Sequence, residues 1–179
     1  MLTRAKKEQL VQEMTDRFSK ASLILFTDYK GMDVQTISEL RGQLYEKFED
    51  KARYQVAKNT LIRLALRNAS YEEEEWKEQV TGTTAILTIV DADPIEAIKI
   101  VYDFSKKKKL PVLRGCYLEK VFHDESKIPD LAQLPSREQL IAMVVSGFAA
   151  PISGLVYSLN GIISKLVYAL NAIKDKKSE

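Results

Sequence analysis

The sequence predicts a mixed α/β fold, with helices packed on a four- or five-stranded sheet and an extended carboxy-terminal helical tail behind it. Three observations carry this expectation. Up to about residue 120, short β-prone apolar runs alternate with stretches whose apolar residues recur at helical spacing. From Gln139 to Ser164 there is no charged residue at all. Within that uncharged tail a ten-residue word returns at an offset of 11 residues.

Taken in order, Leu10, Val11, Met14 and Phe18 share one helical face and predict an amphipathic helix over residues 3–20. Residues 21–27 are short, apolar and β-prone, and read as a buried strand. Asp28-Tyr29-Lys30-Gly31 reads as a turn. Asp33 can cap a second helix, whose inner face is Val34, Ile37, Leu40, Leu44 and Phe48. Residues 53–57 read as the next strand, with Asn59 as the cap of a helix over 60–68. Ser70 and Glu73 have capping-box spacing and open a short helix through Trp76. Residues 83–90 read as a strand, Pro94 as the first turn of a helix to about Lys107, and residues 111–118 as a further strand. Residues 123–135, holding Pro129 and Pro135, read as a loop. Ser136 and Gln139 again have capping-box spacing, so a helix starts at about residue 137, with Pro151 as an interruption. The composition changes at this point, which divides the chain into a globular domain, 1–135, and a helical tail, 136–179.

The net charge of +2 conceals a basic front, an acidic middle with one basic against seven acidic residues over 71–93, and a basic rear. Cys116 is the one cysteine and His123 the one histidine, which excludes an internal disulfide and a Cys-rich zinc site. No Gly-rich phosphate loop is present. The sequence therefore nominates no catalytic residue, no metal ligand and no cofactor. Residues 1–7 are basic but lead into Glu8-Gln9 rather than an apolar stretch, so no secretory signal is expected and the cytoplasm is the default location.

Two surfaces remain as candidates. Ser153-Gly-Leu-Val-Tyr-Ser-Leu-Asn-Gly-Ile162 recurs as Ser164-Lys-Leu-Val-Tyr-Ala-Leu-Asn-Ala-Ile173, and Val144, Val145 and Phe148 align one further offset upstream. An 11-residue step is close to three helical turns, drifting by about 20° and advancing roughly 16 Å. Equivalent side chains thus return on nearly one face, and a repeated face suits repeated, similar partners. The partner-binding set is Val144, Val145, Phe148, Ile152, Leu155, Val156, Leu159, Ile162, Ile163, Leu166, Val167, Leu170 and Ile173. Burying such side chains, with Tyr157 among them, stabilises a complex by about 1.5–3 kcal/mol each before association costs. An apolar stripe is more often a core face, but core packing asks for complementary volumes and not the same word twice. A membrane segment is the rival reading; Pro151, Asn160, Gly161 and Lys165 speak against it.

The second surface is basic. Lys58 and Asn59 stand where a strand hands over to a helix amino terminus, a place suited to phosphate. Tyr29, Lys30 and Gly31 offer an aromatic and a cation on an exposed turn, suited to unpaired bases and backbone. Lys6, Lys7 and Arg41 extend the same character. An enzyme acting on a phosphorylated substrate at Lys58-Asn59 is the competing reading, and it needs a general acid or base nearby. The lysine run 106–109 and the glutamate run 72–75 suit helix ends by charge–dipole interaction alone.

These motifs together resemble the bacterial ribosomal stalk-base protein of the large subunit, the L ten family, related to P-zero. The matching pieces are Phe26-Thr-Asp-Tyr-Lys-Gly-Met-Asp-Val34, Leu40-Arg41, Tyr54-Gln-Val-Ala-Lys-Asn-Thr-Leu61 and Gly82-Thr-Thr-Ala-Ile86, then Leu131-Ala-Gln-Leu-Pro-Ser-Arg-Glu-Gln-Leu140 and Ala150-Pro-Ile-Ser-Gly-Leu155. The resemblance implies a domain docked on large-subunit ribosomal RNA beside a neighbouring stalk-base ribosomal protein. It also implies a tail binding dimers of the acidic stalk protein, which recruit and stimulate translational GTPases; the chain would be a scaffold. Two clear repeats and one weaker copy predict three dimers, on residues 141–150, 152–161 and 162–173.

Overall fold

The apolar runs form one five-stranded sheet: β1 (Leu23–Asp28), β2 (Ala52–Val56), β3 (Thr84–Ile89), β4 (Val112–Leu118) and β5 (Val121–Asp124). The strand order is β2-β3-β1-β4-β5, and every pairing is antiparallel. The computed structural model describes residues 4–177; the side chains of Ala5, Ile162, Ile163, Leu166, Leu170, Ala172 and residues 175–177 lie outside that description. The chain falls into two units, Met1–Ser136 and Arg137–Glu179.

In the first unit the sheet is covered on both faces. Leu23 and Leu25 of β1 point into one core, shared with Leu40 and Leu44 of α2 (Val34–Phe48), Ile98 and Val101 of α5 (Pro94–Lys108), and Ile128 of α6 (Ile128–Gln133). Ile24 and Phe26 point into the other, shared with Met14 and Phe18 of α1 (Arg4–Lys20), Ile62 and Leu66 of α3 (Asn59–Asn68), and Trp76 of α4 (Glu73–Trp76). A central strand buried on both sides needs apolar residues at every position, which is why residues 23–26 show no polar alternation. The Asp33 cap holds as the sequence predicts, and Asp93 adds a cap that the sequence reading did not nominate. The Asp33 carboxylate accepts from the Thr36 N–H at 2.8 Å, and the Asp93 carboxylate accepts from the Ile95 N–H at 2.9 Å ahead of Pro94.

Five local expectations are corrected. Val34, placed on the inner face of α2, is exposed at 81% in its first turn, and only Leu40, Leu44 and Phe48 of that face are buried. Lys58, not Asn59, occupies the cap position of α3, with no side-chain cap; Asn59 is the first helical residue, and its Nδ2 donates instead to the Gly82 carbonyl at 2.8 Å. Ser70 is not a cap either. It takes a left-handed φ of 63° beyond the end of α3, and Glu73 pairs with Arg67 instead of closing a capping box. The supposed loop over 123–135 contains the end of β5, one 3₁₀ turn and α6. Pro129 falls in the first turn of α6, where a missing N–H goes unnoticed, and Ile128 and Ala132 are buried. The last correction concerns the second unit, a single helix α7 (Arg137–Lys177) that runs through Pro151. Proline removes one i→i−4 bond, a cost of about 3 kcal/mol or more, but the turns on either side of it stay bonded.

Candidate nucleic-acid interface and partner-binding helix

Sheet register gathers five of the eight RNA-surface candidates, Lys30 and Lys58 among them. Asp28 pairs with both Thr84 and Val112, and Val56 pairs with Ala85. The segments leaving β1 and β2 and those entering β3 and β4 therefore meet at one end of the sheet. Tyr29, Lys30, Gly31, Lys58 and Asn59 all lie on these segments. Tyr29, Val56, Lys58, Asn59, Thr60 and the 82–84 segment line an open groove of about 500 Å³. The α3 amino terminus opens onto this groove without a side-chain cap, so its first backbone N–H groups are available to an anion. Gly31 sits at φ +89°, a conformation that lets the turn close directly after β1.

A polar network fixes the walls. Asp28 forms an ion pair with Arg114 at 2.5 Å and accepts from the Thr83 hydroxyl and from the Lys30 backbone N–H. Arg114 reaches on to the Thr81 carbonyl, and Asn59 holds Gly82. The turn after β1, the loop before β3 and the start of α3 are thus tied together. Burial pushes the Asp28 carboxyl up, but the bonds from Thr83, Lys30 and Arg114 and the arginine charge outweigh it, leaving the group below its ordinary value of 3.8. Sequence reasoning passed over Asp28 as a ligand holder and Arg114 altogether. The available signal was an arginine inside an otherwise uncharged strand.

The remaining basic candidates lie elsewhere. Arg41 lines a second groove of about 600 Å³ along the edge strand β2, with Tyr45, Arg53 and Gln55, and Val56 borders both grooves. Its Nε donates to the Tyr54 carbonyl at 3.0 Å, so part of the guanidinium serves the exposed strand edge. Lys6 and Lys7 stand exposed on α1 and line neither groove. Among the described residues the groove at Lys58 is lined by Tyr29 but by no carboxylate, histidine or cysteine. A cavity of about 20 Å³ beneath Arg17 has room for about one water.

On α7, Val144, Val145, Phe148, Ile152, Leu155, Val156, Leu159, Val167 and Ile173 are exposed, Phe148 at 77% and Leu155 at 61%. The side chains of Ile162, Ile163, Leu166 and Leu170 lie outside the described residues. At 100° per residue, Leu155, Leu159, Ile173 and the upstream Val144 and Phe148 fall within about 60° of one another, whereas Tyr157 and Tyr168 fall on the far side. By length and composition, Arg137–Gly161 is apolar enough to cross a membrane.

A family model described as "Ribosomal protein L10" matches residues 2–106, and a second, "Ribosomal protein uL10 C-terminal region", matches residues 134–162. The chain is 54% identical to the large ribosomal subunit protein uL10 of Thermosipho africanus and 51% identical to that of Thermotoga maritima, with 100% of both chains covered in each case. It is 34% identical to the uL10 protein of Petrotoga mobilis, over 99% of this chain and all of that one. The chain belongs to the ribosomal protein L10 family. Its relatives are structural proteins of the large ribosomal subunit, so its setting is ribonucleoprotein and translation. In L10 terms, the first match takes in the whole groove at the sheet end, and the second begins just before α7 and ends at residue 162, with the first copy of the repeat.

Proposed function

We propose that this L10-family chain is a ribosomal stalk-base scaffold, working in the cytoplasm on the ribosome. Residues 1–135 dock on large-subunit ribosomal RNA beside a neighbouring stalk-base protein, and residues 136–179 anchor three dimers of the acidic stalk protein, which recruit and activate translational GTPases. The observation that carries this reading is the 11-residue repeat on an exposed helix. Equivalent apolar residues return every 16 Å or so on one face of α7, and those whose side chains are described stand open. The three sites are residues 141–150, 152–161 and 162–173.

RNA docking is supported by the groove at the sheet end, where Tyr29 meets Lys58 and Asn59 of the α3 start, with Lys30 next along the Tyr29 turn. Backbone N–H groups and lysines take phosphate, and the tyrosine offers a ring to an unpaired base. Lys6, Lys7 and Arg41 add charge outside this groove.

Native mass spectrometry of the chain co-expressed with stalk protein reads the stoichiometry. The expected mass is one chain with three dimers, and a chain ending at Gly161 should carry two. Three dimers on that shortened chain would contradict the site assignment. Flotation of the full chain with lipid vesicles, undiminished by added stalk protein, would favour a membrane role for Arg137–Gly161 instead.

A further inference from the structure

A lysine run at the end of a helix is ordinarily explained by the helix dipole. At the end of α5 that explanation is incomplete. Lys109 lies past the last helical residue in a left-handed conformation, φ 60°, so the charge continues into the following loop. That loop has a fixed neighbour. Val112 pairs with Asp28, and a methyl group on Gly31 would touch Leu110 Cδ1 at 3.5 Å. The end of α5 is therefore packed against the Tyr29–Gly31 turn, one strand beyond it on the sheet end that also carries Lys58.

Three carboxylates near this rim are already engaged, and Asp103, one turn before Lys107 on α5, is exposed. Asp28 is held by Arg114 and Thr83, Asp33 caps α2, and Glu39 pairs with Lys108. Lys30, Lys58, Lys107 and Lys109 form no ion pair among the described residues. From β2 to β4 is three strand spacings, about 14 Å. Lys58, Lys30 and Lys109 thus form a cationic row along one rim of the sheet. Lys106 belongs elsewhere, lining a groove with Tyr102 and Ile128.

We infer that Lys107 and Lys109 contact RNA phosphates, so that the RNA face extends from the α3 groove across the Tyr29–Gly31 turn to the end of α5. This rests on the RNA-docking reading above and widens it. The test uses the full chain and deproteinised large-subunit ribosomal RNA, with affinity measured against potassium chloride concentration. Each phosphate contact contributes about 0.7–0.9 to the log–log salt slope. Lys107→Gln/Lys109→Gln should flatten the slope by about 1.5 and weaken binding about tenfold or more at 0.1 M salt. Lys20→Gln/Lys120→Gln, the same charge change at the opposite end of the sheet, should leave the slope unaltered. Thermal melts identify any variant that loses its fold.

If Lys107→Gln/Lys109→Gln behaves like that control while Lys30→Gln/Lys58→Gln flattens the slope, the inference is overturned and RNA docking stands. If neither pair flattens it, RNA docking through the sheet end falls as well. Loss of binding to an acidic protein, with the RNA slope intact, also overturns the inference.

Discussion

Tyr117 carries a ring and a hydroxyl with different fates. Its ring meets Phe26, Tyr71 and Phe122 at centroid distances of 6.1, 4.7 and 5.2 Å, while the hydroxyl is buried near the Glu75 carboxylate with no partner at hydrogen-bonding geometry among the described residues. Burial, reinforced by the Glu75 carboxylate, raises its ionisation well above the tyrosine range. Tyr117→Phe keeps the ring and removes the unpaired group, so thermal unfolding should occur no lower than in the parent chain, with a gain of about 0–1 kcal/mol. Next to it, Cys116 is wholly buried, and burial pushes its thiol up to about 12. A disulfide reagent at pH 8 should leave the folded chain unlabelled and modify one thiol per chain in denaturant. Asp28 gives the opposite sign. Its folded value lies below 3.8, so its contribution to stability is complete above the ordinary aspartate range and is lost as pH falls through the lower folded value. Asp28→Asn should therefore destabilise the domain at pH 7 by about 1–3 kcal/mol, with the difference from the parent chain shrinking below pH 4 in urea titrations.

Among elements, the β4–β5 hairpin and α7 make contrasting demands. A methyl group at Gly115 would meet Phe122 Cζ at 3.1 Å and the His123 carbonyl oxygen at 3.2 Å, the latter on a paired strand that cannot step aside. Gly115→Ala should cost about 1–3 kcal/mol in chemical denaturation. On α7, Leu155 and Leu159 are exposed, so Leu155→Asp with Leu159→Asp should leave unfolding of the first unit within about 0.5 kcal/mol while removing a dimer from the native mass. The elements with strong local causes were legible in sequence: the Asp33 cap, Pro94 in the first turn of α5, the all-apolar β1, the uncharged α7. Those missed were the ones whose cause lies elsewhere in the chain. Val121–Asp124 is a strand because β4 pairs with it, and Ile128–Gln133 is a helix because α5 and the sheet bury one side of it. Asn59 was misjudged for the same reason, since its bond to Gly82 spans 23 residues of sequence.

At the scale of the molecule, strand order was beyond reach of the sequence because every pairing that sets it is long-range, Leu23 with Ile89 and with Leu118. With it went the assembly of the sheet-end site: Tyr29, Lys58 and Asn59 could be nominated singly, but the register that collects them, and the lysines of α5 beside them, could not. The tail was the reverse case, its repeat being visible in the letters alone. A 41-residue helix at 1.5 Å per residue is about 60 Å long. Its open leucines, valines and phenylalanine have a cost of their own. If the proposed stalk-protein dimers cover this face, a copy of the chain made without them leaves a long run of exposed apolar side chains open to water. The chain expressed alone should form high-molecular-weight aggregates in light scattering, and ending it at residue 136 should abolish them. On the proposed reading, production of the chain and of the stalk protein would have to be kept in step, or the surplus would become a substrate for chaperones and proteases.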